Sequence, residues 1–105
     1  MAALLEHTNF TVSDTDATAK WMCDLFGWHI RWAGASLDNG RTIHVGTDTH
    51  YLALYSPGGA PGKATDNNYT TIGGLNHLAV VVDDIGIMET RVKDAGFTPV
   101  NHGDY

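Results

Sequence analysis

The sequence predicts an α+β domain built from a strand–helix–strand–strand–strand unit, followed by a second copy of that unit that lacks its last strands. Three observations predict it. Four short segments in the first half alternate apolar and polar residues, as half-buried strands do. Two other segments carry apolar residues at three- and four-residue spacing behind an acidic start, as capped amphipathic helices do. The opening strand–helix pair also recurs later in the chain: His7 matches His77, Val12 matches Val82, Asp14 matches Asp84 and Asp24 matches Asp94.

The first strand spans residues 4–13, with Phe10 and Val12 on one face and His7, Asn9 and Thr11 on the other. Ser13-Asp14-Thr15-Asp16 starts a helix, its carboxylates near the positive end of the helix dipole. Ala17, Trp21 and Leu25 form the expected core stripe, and Gly27 suits the left-handed position that ends the helix. Trp28, Ile30 and Trp32 alternate with His29 and Arg31 in a second strand, which places both tryptophans on one face. Asp38-Asn39-Gly40 is a turn signal, since these residues tolerate positive φ. Residues 42–46 and 50–56 then complete an antiparallel meander. In the last strand Leu52 and Leu54 oppose Tyr51, Ala53 and Tyr55.

Residues 57–73, rich in Gly, Pro, Asn and Thr, read as a connecting loop between a first unit (1–56) and the partial second one (74–105). Gly58-Gly59 and Gly62-Lys63 are a poor phosphate cradle, because no Ser or Thr follows the lysine. The second unit begins with a strand over 76–84. A helix follows, with Ile85, Met88, Val92 and Ala95 on one stripe and Gly96 at its end, and then a strand over 97–100. About 25 further residues would complete the copy at ordinary strand and loop lengths.

Length and composition bound the function. A chain of 105 residues forms one domain. With 43% hydrophobic residues and 17% charged, it has the makeup of a folded globule. The net charge of -6 argues against nucleic acid and anionic membranes as partners, since both are bound through clustered Lys and Arg. One cysteine excludes an internal disulfide and a multi-thiolate zinc site. No apolar run reaches the ~20 residues of a membrane span, and the N-terminus lacks a signal-peptide pattern. These features predict a soluble, cytoplasmic, acidic domain.

The segments 6–14, Leu25-Phe26-Gly27-Trp28, Tyr51-Leu52-Ala53-Leu54-Tyr55 and 74–83, arranged as paired βαβββ modules, resemble the vicinal oxygen chelate superfamily. That superfamily includes glyoxalases, extradiol dioxygenases, fosfomycin-resistance transferases and bleomycin-binding proteins. The resemblance implies two sheets curled around one cavity, with a divalent ion (Zn, Ni, Mn or Fe(II)) held by side chains of both modules. By position it implies His7 and His77 as ligands, and Tyr51, Ala53, Tyr55, Trp28 and Trp32 as the substrate wall. Two imidazoles on facing strands are sensible ligands for such an ion. The carboxylate ligand is absent: Ala53 stands where a glyoxalase-type Glu would, and the two glutamates, Glu6 and Glu89, are not placed for the role. Glu6 is expected to point to the face of its strand opposite His7.

The ion would act as a Lewis acid in a lyase, isomerase or dioxygenase. The competing expectation is a metal-free drug-binding protein of the bleomycin-resistance type, for which an acidic chain with aromatic walls favours a cationic ligand. A third is an incomplete, inactive fragment. An open sheet edge also predicts a homodimer. His29 and His44, opposite the apolar stripes of their strands, face either the cavity or solvent. His50 is expected in solvent, His102 in a tail, and Cys23 in helix packing.

Overall fold

The computed structural model describes residues 1–62 and 68–100. Lys63 and His102, and with them the phosphate-cradle reading and the tail, lie outside the described residues. The elements are β1 (His7–Thr11), α1 (Thr15–Phe26), β2 (His29–Ser36), β3 (Gly40–Gly46), β4 (Tyr51–Ser56) and α2 (Ile85–Asp94), with short 3-10 turns at Leu37–Asn39 and Asn68–Thr70. The sheet order is β1-β4-β3-β2. β1 runs parallel to β4, with His7 opposite Tyr51, while β2, β3 and β4 form the predicted meander. This is the expected βαβββ unit.

Local chemistry accounts for its boundaries. Asp14 caps α1 by accepting from the Ala17 N–H at 3.0 Å, and Gly27 ends it at φ 70°. Asp38 and Asn39 both hold positive φ, 55° and 57°, in the β2–β3 turn, where short polar side chains tolerate it. Gly46 is required where β3 meets β4, because a Cβ there would collide with the His50 carbonyl and sit 2.6 Å from Tyr51 Cα.

One face of the sheet is covered by α1. Ile43, Val45, Leu52 and Leu54 from the sheet pack with Ala19 and Met22 from the helix. The buried stripe of α1 is Thr15, Ala19, Met22 and Leu25, rotated from the predicted Ala17–Trp21–Leu25 line. Ala17 is exposed and Trp21 half-buried, because the helix crosses the sheet over β3 and β4 with Ala19 fully buried against it. Among the described residues no helix covers the other face. We call it the open face.

Two sequence expectations are corrected. Trp28 and Trp32 do not share a face. The β2–β3 register slips between Ile30 and Trp32, so that Ile30 opposes the core residue Val45 while Trp32 opposes His44 on the open face. Arg31 is the extra residue of this β-bulge, and the slip reverses the alternation. Trp28 therefore packs with the core, 4.8 Å from the Phe26 ring, while Trp32 is 48% exposed on the other side.

The second correction concerns the later strands. Residues 76–82 and 97–100 enter no ladder. A run such as Leu78-Ala79-Val80-Val81-Val82 has strand propensity, but a strand is stabilised by a partner, and none pairs with it among the described residues. The second copy is represented by α2, with Asp84 accepting from the Ile87 N–H at 3.0 Å, as Asp14 does in the first.

Candidate functional site

Parity along the strands brings the polar and aromatic side chains together. His7 and Tyr51 face one another across β1–β4, His44 lies on the same face of β3, and the bulge adds Arg31 and Trp32 from β2. The rings form a row across the sheet. Ring-centroid distances are 5.3 Å from Trp32 to His44, 4.7 Å from His44 to Tyr51 and 4.7 Å from Tyr51 to His7. The Arg31 Cζ stands 4.2 Å from the centre of the Tyr51 ring, and its Nη1 donates to the Thr47 carbonyl at 3.3 Å.

Glu6 corrects a further expectation. Its carboxylate lies on the same side as His7, because Glu6 precedes the strand proper and escapes its alternation. Oε1 accepts from His7 Nδ1 at 3.0 Å and from the Tyr51 hydroxyl at 3.2 Å. These two hydrogen bonds, that from His7 first, hold the Glu6 carboxyl below the usual carboxylate range. An ionised carboxylate only accepts, so Nδ1 of His7 is the donor in this contact. Burial, then the nearby Glu6 charge, pushes the Tyr51 phenol up. Burial, reinforced by His7 and Arg31, pushes the His44 imidazole down and favours its neutral form.

A pocket of about 550 Å³ opens at the end of the sheet where β1 and β4 begin. Glu6, His7, Trp28 and Tyr51 line it on one side and Leu78–Val81 on the other. His77 is exposed and immediately precedes that run, but is not itself in the lining. Of the other sequence candidates, Ala53 is 2% exposed and brings no donor group, and Tyr55 donates its hydroxyl to the Leu37 carbonyl at 2.7 Å near the hairpin end of β2–β3. His29 pairs with Asp48 at 3.1 Å, and His50 is exposed beside Thr49. Cys23 is half-buried, and burial raises its thiol pKa, as expected of a packing residue. Among the described residues no three His, Cys, Asp or Glu side chains are grouped so as to hold a metal ion.

Sequence reasoning missed Arg31 and Glu6 and left His44 open. The signal for His44 was its place opposite the apolar stripe of β3. Nothing in the alternation of Trp28, Ile30 and Trp32 marked the bulge that turns Arg31 and Trp32 inward.

The described strands form a single βαβββ unit, with one face covered by α1 and the other lined by imidazoles and aromatic rings. The chain belongs to the Glyoxalase/Bleomycin resistance protein/Dioxygenase superfamily, whose family model matches residues 4–102. Its fold is shared with SMU.1112c (TM-score 0.77, 17% identity, covering 100% of this chain and 85% of that one). It is also shared with the trypanothione-dependent glyoxalase I of Leishmania major (TM-score 0.74, 17% identity, 99% and 73% covered). A third similar structure is the fosfomycin resistance protein FosX of Listeria monocytogenes, solved with Mn(II) and sulfate (TM-score 0.67, 14% identity, 91% and 74% covered). At these identities the likeness is one of fold. No curated protein sequence matches the chain. Among the described residues, no helix is long and apolar enough to cross a membrane.

Proposed function

We propose that this chain handles a small molecule on the open face of its sheet, with His7 at the centre of the site. The observation that carries this reading is the row Trp32–His44–Tyr51–His7. It is a continuous ring surface on a face that no helix covers, and it abuts the pocket at the start of β1 and β4.

A thermal-shift screen of small metabolites and antibiotics on wild type and His44→Ala, each with and without chelator, tests the reading. Compounds that raise the wild-type melting temperature should lose most of that effect in His44→Ala. Equal shifts in both proteins would contradict it.

The metal-dependent form of this reading, a lyase, isomerase or dioxygenase, is favoured by the Glu6–His7 contact. A carboxylate that fixes the imidazole tautomer is the usual support of a metal-bound histidine. His77, next to the run that lines the same pocket, would be the second imidazole. A bound ion would polarise adjacent substrate oxygens. The described residues supply the two imidazoles but no grouped third donor, so they fit part of such a centre, and no step is routed through it.

The metal-free form, a binding protein, is favoured by Ala53, which offers no ligand in the middle of β4. Metal analysis of untagged protein separates the two. Metal held by wild type and lost in His7→Ala and in His77→Ala supports the first form, and equal, background metal in all three supports the second.

Two further points belong to the same reading: a cytoplasmic location, inferred from the composition, and a homodimer. A second copy would cover the apolar residues Ile85 and Ile87, which are 75% and 57% exposed, and the outer edge of β1, which among the described residues bonds only to β4. Sedimentation velocity at micromolar concentration should show a dimer.

A further inference from the structure

Resting on the open-face reading above, we propose that the β-bulge at Arg31 makes the site selective for a planar, unsaturated oxyanion, such as an aromatic carboxylate, held with its flat part against Trp32 and His44 and its charge on the Arg31 guanidinium.

The bulge is the structural cause. Without the extra residue, Trp32 would fall on the helix side of β2 with Ile30. With it, Arg31 and Trp32 both reach the open face. The indole lies flat enough along the strand that a Cβ on Gly34 would come within 2.7 Å of its ring, so Gly34 leaves the space that Trp32 occupies. The exposed indole beside the half-buried His44 imidazole is a stacking surface for a flat group.

Charge then selects the ligand. Although the chain is acidic overall, this face carries a guanidinium with unused donors. The Glu6 carboxylate is engaged by His7 and Tyr51. The cations Lys20, Arg41 and Lys93 are each paired with a carboxylate elsewhere on the molecule. Arg31 has no carboxylate within ion-pair distance among the described residues, although Glu6 is near enough to feel its charge. Its guanidinium is steadied by the Tyr51 ring and by one hydrogen bond to the Thr47 carbonyl. Four of its five N–H donors have no acceptor among the described residues. A planar fork held in place with donors to spare is suited to an oxyanion. The cationic ligand expected from net charge is disfavoured at this point of the surface.

Calorimetric titration of the full chain with 2-naphthoate, its neutral amide and the cationic 2-naphthylmethylamine tests the proposal. Wild type should bind the carboxylate about tenfold more tightly than the amide, and the amine most weakly, the factor being that of one charge-assisted contact. Arg31→Gln, a change at an exposed position, should bring the carboxylate down to the level of the amide. Trp32→Leu should weaken the carboxylate and the amide by a similar factor. Carboxylate binding unchanged in Arg31→Gln, or amine binding equal to or above carboxylate binding, would overturn the proposal while leaving the open-face reading intact. Absence of binding by all three probes at millimolar concentration would overturn both.

Discussion

The two helices of this chain begin in the same way and end up in different surroundings. Asp14 and Asp84 hold nearly the same backbone angles, φ -144° and -137°, and each accepts from the N–H three residues on at 3.0 Å. A glycine with positive φ follows each helix, Gly27 at 70° and Gly96 at 96°. Yet α1 buries Thr15, Ala19, Met22 and Leu25 against the sheet, while α2 has no buried residue. Among the described residues, all eight buried hydrophobic residues lie between Ala19 and Leu54. Local capping is enough to define where a helix starts and stops. Burial requires a sheet beneath it, and only the first unit supplies one. The site follows the same division, since every ring of the row comes from β1 to β4.

This contrast predicts unequal responses to equivalent changes. The largest should come from the core of the first unit. Leu54→Ala, at a position with no exposure, should lower unfolding free energy by about 2–5 kcal/mol in urea titration, whereas Val81→Ala should change it by less than about 0.5 kcal/mol. A comparable loss at Val81 would mean that the second region has a core of its own. Next comes Gly46→Ala, whose methyl meets backbone at the β3–β4 connection. A loss of about 1–3 kcal/mol is expected, with partial displacement of Tyr51.

The caps sharpen the comparison further. Asp14→Ala should cost about 1 kcal/mol of global stability. Asp84→Ala should instead speed amide exchange within α2 while leaving the global urea midpoint nearly unchanged, because a helix that buries nothing frays by itself. The smallest effect is expected from Gly34→Ala. It should alter the fluorescence of Trp32 as the indole moves aside, with a stability change within about 0.5 kcal/mol.

How much of this was legible follows the same line. The meander, both helices, their aspartate caps and the Asp38-Asn39 turn are local features, and each stands where the sequence puts it. The faces of β1, β3 and β4 also follow from simple alternation, which puts His7, Tyr51 and Ala53 on the open face. Three things were not local. The α1 stripe depends on how the helix crosses the sheet. The strands over 76–82 and 97–100 needed a partner. The bulge at Arg31 is a property of β2 paired with β3, invisible in a segment whose own apolar residues alternate without a fault. Arg31, Trp32 and Glu6 therefore lie on the open face for reasons that period-two alternation does not describe.

The open face is the proposed place where a ligand binds. Backbone and indole nuclear magnetic resonance shifts of the ¹⁵N-labelled chain, followed during addition of 2-naphthoate, test it in one experiment. The largest shifts should fall on the Trp32 indole, His44, Tyr51 and His7. Shifts concentrated instead around Phe26, Val82 and Arg91, which line a separate pocket of about 340 Å³ beside α2, with the Trp32 indole unmoved, would contradict it.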